Sequence, residues 1–178
     1  MPRNVEIKAR LRNGDLGRIR AVALARSTAA PETIRQRDTF YRVTTGRLKL
    51  REFADGSAEL IAYERPDQTG PKASRYVVSP CAEPALLNEA LTRSLGVRGV
   101  VEKQREVIHV GQTRVHLDDV ARLGHFLELE VVLEESQSIA AGEAVAAEWM
   151  DRLGLDARTL VEGAYIDLLE APDGASAS

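Results

Sequence analysis

Residues 122–133 alternate with period two, and this alternation most constrains what the chain can fold into. Leu127, Leu129, Val131 and Leu133 fall on one face of an extended strand, and Phe126, Glu128, Glu130 and Val132 on the other. The N-terminal segment repeats the arrangement, with Val5, Ile7, Ala9 and Leu11 opposite Asn4, Glu6, Lys8 and Arg10. Residues 47–51 do so a third time, with Arg47, Lys49 and Arg51 on the polar face. A wet antiparallel face ordinarily mixes the two signs so that they pair across strands. Here acids gather on some strands and bases on another, which calls for more than solvation.

Turn residues punctuate the rest of the chain. Asn13-Gly14-Asp15 leads into an expected helix over 15–26 with Asp15 as its N-cap. Strands are expected over 34–43, 47–53, 59–65 and 72–79, joined by Thr44-Thr45-Gly46, by the hairpin signal Asp55-Gly56 and by a longer turn at 66–71. Pro80 is expected to stop the sheet. A helix over 83–94 follows, with Leu86, Leu87, Ala90, Leu91 and Leu95 as its stripe and Gly96 as its stop. Strands over 100–110 and 113–118 and the 122–133 segment complete eight. A helix over 143–153, a mostly helical stretch over 159–170 broken at Gly163, and a loose polar tail over 171–178 end the chain. The whole reads as one α+β domain over 1–170.

Three helices with apolar stripes need an apolar partner, and the Leu/Val/Ile faces of the strands supply it. Two topologies satisfy this: an open sheet with solvent on its far side, or a closed eight-stranded antiparallel barrel with helices outside and charge inside. Unpaired buried charge is costly, so the closed form must hold water, metal and a polyanion. Composition narrows the partners. Lys and Arg number 24 against 27 Asp and Glu, leaving no basic excess to release counterions from nucleic acid. Aromatics at 4% leave no base-stacking platform. No apolar run reaches the length of a membrane span, no signal-peptide pattern opens the chain, and the single Cys81 has no internal disulfide partner. A cytoplasmic enzyme or binding protein is expected, with no nucleic-acid or membrane partner.

Asn4-Val5-Glu6-Ile7-Lys8 resembles the Glu-x-Glu-x-Lys signature of the CYTH superfamily, the triphosphate tunnel metalloenzymes. The resemblance continues through Arg47-Leu48-Lys49-Leu50-Arg51-Glu52, Gly70-Pro71-Lys72, Lys103-Gln104-Arg105, Gly111-Gln112-Thr113-Arg114-Val115-His116-Leu117-Asp118, the Leu-Gly-x-Phe-Leu-Glu-x-Glu block and Ala164-Tyr165-Ile166-Asp167-Leu168-Leu169. It spans nearly the whole chain and is most similar in pattern to the class IV adenylyl cyclase and thiamine triphosphatase-like branch. The resemblance implies a closed tunnel that binds a triphosphate with divalent metal, which decides between the two topologies. It also implies that Lys8, Lys103 and Arg105 hold substrate, that Arg65 or Lys72 adds a further cation, and that Glu6 and Lys8 serve catalysis.

The residues carry chemistry of their own beside the family. Glu128 and Glu130 share a face, roughly 7 Å apart along a strand, and can reach toward one hard cation. Glu6 can join them from across the tunnel, and Asp118 can if its parity points inward. Oxygen ligands without Cys or clustered His favour Mg2+ or Mn2+ over zinc. Lys49 and Arg51 suit phosphate oxygens, one as a point charge and one as a fork. Their neighbours being cations, removal of Arg51 is expected to relieve repulsion and leave the fold intact.

Asn4 stands where the signature has Glu: its amide oxygen can coordinate a cation, but it brings no charge and cannot act as a base. His109 and His125 are expected at the surface, and His116 reads equally as a cavity residue or a structural histidine. No Walker-type or dinucleotide-binding glycine loop is present, so side chains must hold phosphate. Three functions follow: hydrolysis of tripolyphosphate, thiamine triphosphate or ATP; cyclisation of ATP to cyclic AMP; and binding of a nucleotide or polyphosphate without turnover. Hydrolysis comes first, because it needs only the phosphate clamp and a water.

Overall fold

The computed structural model describes residues 3–12, 14–64 and 72–171, with the backbone alone at 3 and 72–75. Eight antiparallel strands form one strongly curled sheet: β1 (Arg3–Arg10), β2 (Glu32–Tyr41), β3 (Arg47–Phe53), β4 (Ala58–Glu64), β5 (Lys72–Cys81), β6 (Val97–Val110), β7 (Thr113–Val120) and β8 (Gly124–Val132). Pairing runs β1-β5-β4-β3-β2-β6-β7-β8 and returns to β1, as the closed form requires. The circuit is broad where β1 meets β8, from Asn4 opposite Val132 to Arg10 opposite Phe126. It is narrow where β1 meets β5, from Arg3 opposite Arg75 to Glu6 opposite Lys72.

The alternation sorts the two faces. Val5, Ile7, Leu127, Leu129 and Val131 point outward and are buried beneath α1 (Asp15–Leu24) and α3 (Ile139–Leu153), with Ile19, Ala23, Ala146, Trp149 and Leu153 facing them. Burying each such aliphatic side chain contributes roughly 1.5–3 kcal/mol, so this layer fixes which strand face becomes the inside. Gly142 brings α3 close: a methyl there would overlap Leu133 and Val5. Helix α2 (Pro84–Leu95) covers a smaller cluster of Tyr41, Leu50 and Ala58 through Leu87 and Leu91. Leu86, expected in its stripe, is exposed instead. The short α4 (Tyr165–Glu170) lies at one end of the sheet, where Ala164, Tyr165 and Ile166 pack with Phe40, Val101, Val120 and Phe126. Gly99 makes room for it, since an added Cβ would stand 2.5 Å from Ile166 Cδ1.

Several boundaries differ from expectation for physical reasons. Strand β5 runs through Pro80 to Cys81, with Pro80 opposite Glu59. On its other side β5 pairs with β1 only at 72–75, so the missing N–H of Pro80 vacates no position in that ladder. Gly14, at φ 94°, caps α1 in place of Asp15, which lies in the first turn and accepts from the Arg12 backbone. Helix α3 begins four residues before the expected start, because the Ser138 hydroxyl accepts from Ala141 N and caps it. The stretch expected as mostly helical is a short 3-10 turn (Ala157–Thr159) and α4, separated by Gly163 at φ 74°. No helix among the described residues is long and apolar enough to cross a membrane.

Candidate functional site

The inward faces enclose a cavity of about 410 Å³. Glu6, Lys8, Lys49, Arg51, Lys103, Arg105, Glu128 and Glu130 all line it, drawn from β1, β3, β6 and β8. Period-two geometry alone accounts for this convergence: each contributes every second residue to the inside of a curled sheet. Arg65 lies outside the described residues. Lys72 opens β5 opposite Glu6, and its side chain also lies outside them.

The cations stand in two matching groups, each held by one aspartate on the adjacent strand. On the β2–β3 hairpin Arg51 is opposite Asp38, and Arg51 Nε and Nη2 donate to its two carboxylate oxygens at 2.8 Å each. Lys49 Nζ donates to Asp38 Oδ2 at 2.6 Å. On the β6–β7 hairpin Arg105 is opposite Asp118, and its Nε and Nη2 donate to Oδ1 and Oδ2 at 2.7 and 2.6 Å. Lys103 Nζ reaches the same carboxylate at 3.2 Å. Asp38 thus holds two cations, and Asp118 holds two, of which Arg105 also meets Glu128.

Asp118 thus points inward, yet its oxygens are engaged by Lys103, Arg105 and the Tyr165 hydroxyl, which donates at 2.8 Å. Its partners are those of an anion that positions cations rather than those of a metal ligand. The empty tunnel is likewise not the self-repelling cluster expected around Arg51, because acids are interleaved with its bases.

Glu128 and Glu130 lie on the facing strand. Glu128 pairs with Lys8 at 3.1 Å and with Arg105. Glu130 accepts from the Asn4 amide nitrogen at 2.7 Å and lies 3.2 Å from Arg114. The same amide nitrogen is 3.2 Å from Glu6 Oε1. His116 is buried between Glu128 and Glu130, with Nδ1 at 4.0 Å from one and Nε2 at 3.7 Å from the other. This places His116 on the cavity, where His109 also contributes, while His125 is exposed. At the α4 end Tyr165 sits beneath two lysines, its ring centroid 3.9 Å from Lys8 Nζ and 5.1 Å from Lys103 Nζ. The ring also packs edge-on against Phe126.

Burial and charge together set the protonation states. Burial opposes ionisation of Asp38, but Lys49 and Arg51 hold its carboxyl far below the usual range. Burial likewise opposes Glu128, and Lys8, Arg105 and Lys103 hold it well down. Burial, joined by Arg51 and partly offset by Asp38, brings Lys49 to about 7. Burial and Arg105, against Asp118 and Glu128, bring Lys103 to about 8. Burial and Arg105 also lower His116. Two lysines therefore titrate near neutrality in an anion-sized cavity, and an incoming polyanion favours their charged forms.

Two residues of this site had no assigned role in the sequence. Asp38 carried a usable signal, an acid of inward parity on a strand joined by a short turn to Lys49 and Arg51. Tyr165 stood within a segment that resembles the family, but nothing local gave it a role, because it reaches the cavity from a helix more than forty residues beyond Asp118, to which it donates.

Fold and lining together define a charge-lined β-tunnel protein. Residues 2–165 match the model of the CYTH domain, and the chain belongs to that family. The structure is similar to a protein of Pyrococcus horikoshii, with 22% identity, a TM-score of 0.79, and coverage of 93% of this chain and 98% of that one. It is also similar to a Vibrio parahaemolyticus protein proposed to be an adenylate cyclase, at 19% identity and TM-score 0.74, covering 94% of this chain and 98% of that one. A Hippeastrum protein, likewise proposed as an adenylyl cyclase and described as having a dominant triphosphatase activity, aligns at 13% identity and TM-score 0.63, over 87% of this chain and 89% of that one. A comparison with curated proteins finds no match.

Proposed function

We propose that this chain is a metal-dependent triphosphatase that takes a triphosphate-bearing small molecule into its tunnel. The observation that carries the reading is the pair of Lys-x-Arg units, Lys49/Arg51 and Lys103/Arg105, each pre-set by a buried aspartate that holds both of its cations on the cavity wall. Charge-assisted bonds from these groups suit phosphate oxygens spread along a short chain. The preset geometry spares the cost of ordering the side chains on binding.

The acids across the tunnel fit a divalent cation. Oxygens of Glu6 and Glu130 already converge on one atom, the Asn4 amide nitrogen, which marks a point both carboxylates reach. Asn4 Oδ1 is buried without a hydrogen-bond partner among the described residues. Among the described residues no three His, Cys, Asp or Glu side chains already form a metal-binding group. Glu6 and Glu130 would be the protein's share for Mg2+ or Mn2+, which a nucleotide-type site holds through one or two carboxylates, with substrate phosphates and water completing the shell. When bound, the cation neutralises phosphate oxygens and so lowers the barrier to attack. Glu128, held by Lys8 and Arg105, lies next to this point and completes the acidic wall.

The chain's own residues then divide the work. Lys49, Arg51, Lys103 and Arg105 bind and orient the phosphates. Lys8, at the Tyr165 end, neutralises charge developing on the phosphoryl group. Glu6 orients a water for in-line attack on the terminal phosphorus and accepts its proton. The bond from that phosphorus to the bridging oxygen breaks, and the remaining phosphates leave with the electron pair.

The test is a product screen with tripolyphosphate, thiamine triphosphate and ATP, each with Mg2+ or Mn2+, reading phosphate, pyrophosphate and cyclic AMP separately. Release of orthophosphate is expected from at least one of the three. Cyclic AMP with stoichiometric pyrophosphate would establish a cyclase instead, and tight binding without any product would establish a sensor.

A further inference from the structure

Asn4 is 2% exposed and sits where β1 pairs with β8. Its amide nitrogen donates to Glu130 Oε1 at 2.7 Å and to Glu6 Oε1 at 3.2 Å. Its other edge, Oδ1, is buried and has no hydrogen-bond partner among the described residues. The chemistry of the amide dictates this choice of edge. Two carboxylates accept from an NH2 group and repel a carbonyl oxygen, so only the nitrogen edge can face them in an empty tunnel. The two N–H groups thus bridge a pair of acids without bringing a full charge. The cost is a buried carbonyl left unsatisfied, which native structures rarely tolerate without a reason.

Resting on the metal-dependent reading above, we propose that Asn4 is a positioning residue with two uses, one for each edge of its amide. Without metal its NH2 edge ties Glu6 and Glu130 together by donating to both. When a divalent cation takes the place between those carboxylates, the amide turns half round and presents Oδ1 to it, which satisfies the orphaned oxygen. A carboxylate at this position can serve only the second use, because it has no N–H to donate to Glu6 and Glu130 and adds a third negative charge where Arg114 already serves Glu130. Asn4 therefore exchanges some metal affinity for a tunnel that stays ordered while empty.

Three measurements test this on the full chain: the Asn4 side-chain amide resonances in 15N-labelled protein titrated with Mg2+, Mn2+ affinity by calorimetry, and the melting temperature of metal-free protein. On Mg2+ binding the Asn4 amide resonances, assigned by their loss in Asn4→Asp, should shift as their carboxylate acceptors are withdrawn. Asn4→Ala should weaken Mn2+ binding by about tenfold, as for loss of a group that orients or completes a metal site. It should also lower the metal-free melting temperature. Asn4→Asp should bind Mn2+ about tenfold more tightly through its added charge, yet melt lower than wild type without metal. The opposite signs in Asn4→Asp are the signature, and they survive even if Asn4→Ala does not fold. Amide resonances unmoved at saturating Mg2+, or Asn4→Asp melting at or above wild type when metal-free, would overturn the proposal while leaving the metal-dependent reading intact. Wild type that binds neither cation, with or without tripolyphosphate, would sink both.

Discussion

Replacing Asp38 by Asn separates a preset clamp from a loose patch of positive charge. Asp38 takes Lys49 at 2.6 Å and Arg51 at 2.8 Å while itself nearly fully buried. At an effective dielectric of about 20, unit charges about 2.8 Å apart attract by roughly 6 kcal/mol before desolvation is counted. Breaking a buried pair from one side costs about 3–5 kcal/mol net, because the partner charges stay behind. Asparagine keeps the shape and one acceptor, so the lower end, about 3 kcal/mol, is the expected loss. In a chain of 178 residues that is a fall in Tm of roughly 6–12 °C. Lys49 also loses the partner that raises its pKa, so it drops below its present value of about 7 and is mostly neutral at pH 7.5. Tripolyphosphate can supply the missing anion and restore the lysine's proton. A variant that melts within about 2 °C of wild type in scanning calorimetry would refute the clamp.

Arg51→Ala should weaken tripolyphosphate binding by about 1–3 kcal/mol in calorimetry, the scale of a charge-assisted bond. It should also lower stability, since Asp38 loses its two-bonded partner; unchanged melting would restore the expectation that cations merely repel here. Lys49 and Lys103 have pKa values depressed in the folded protein to about 7 and about 8. Their charged forms therefore oppose folding below those values, and this penalty lifts as pH rises through them toward the unfolded lysine value. Binding runs the other way: tripolyphosphate favours the protonated lysines, so complex formation above pH 7 should take up protons, seen as a buffer-dependent enthalpy, and affinity should fall between pH 7 and 9. A flat affinity with no proton uptake would show that neither lysine meets the phosphates. Gly99→Val should push Ile166 away and, with it, Tyr165 from Lys8 and Lys103, lowering turnover more than it lowers Tm. Intact turnover would mean that α4 only caps the sheet.

Parity was the part of the fold most open to reading from the sequence. Once Leu127, Leu129 and Val131 were set against helices, Glu128 and Glu130 had to face the other way, and the same holds for Glu6 and Lys8 on β1. Element ends were less open, because they depend on neighbours. Pro80 reads as a stop in isolation, and is a strand residue only because no ladder runs along that side of β5. Leu86 fits the stripe of α2 but points to solvent, and the helix instead packs the half-buried Leu87 and Leu91 against the sheet.

The site divides by the same logic of distance along the chain. A two-residue turn fixes the register of its hairpin, so Gly111-Gln112 places Val110 opposite Thr113 and, five steps on, Arg105 opposite Asp118. The pairing of Arg105 with Asp118 is therefore implicit in the sequence. The turn between β2 and β3 is longer, residues 42–46, and the Asp38–Arg51 register follows only once the sheet is built. The seam between β1 and β8 joins residues more than a hundred positions apart, and no local signal sets Asn4 opposite Val132 rather than one pair along. A shift of one residue there would turn Glu6 and Lys8 toward the helices, so the apolar layer beneath α3 fixes the register that brings Asn4 to Glu130. The Arg105–Asp118 pairing is thus the product of a local hairpin, while the Asp38–Arg51 pairing and the point where Asn4 meets Glu130 come from the assembled sheet and core.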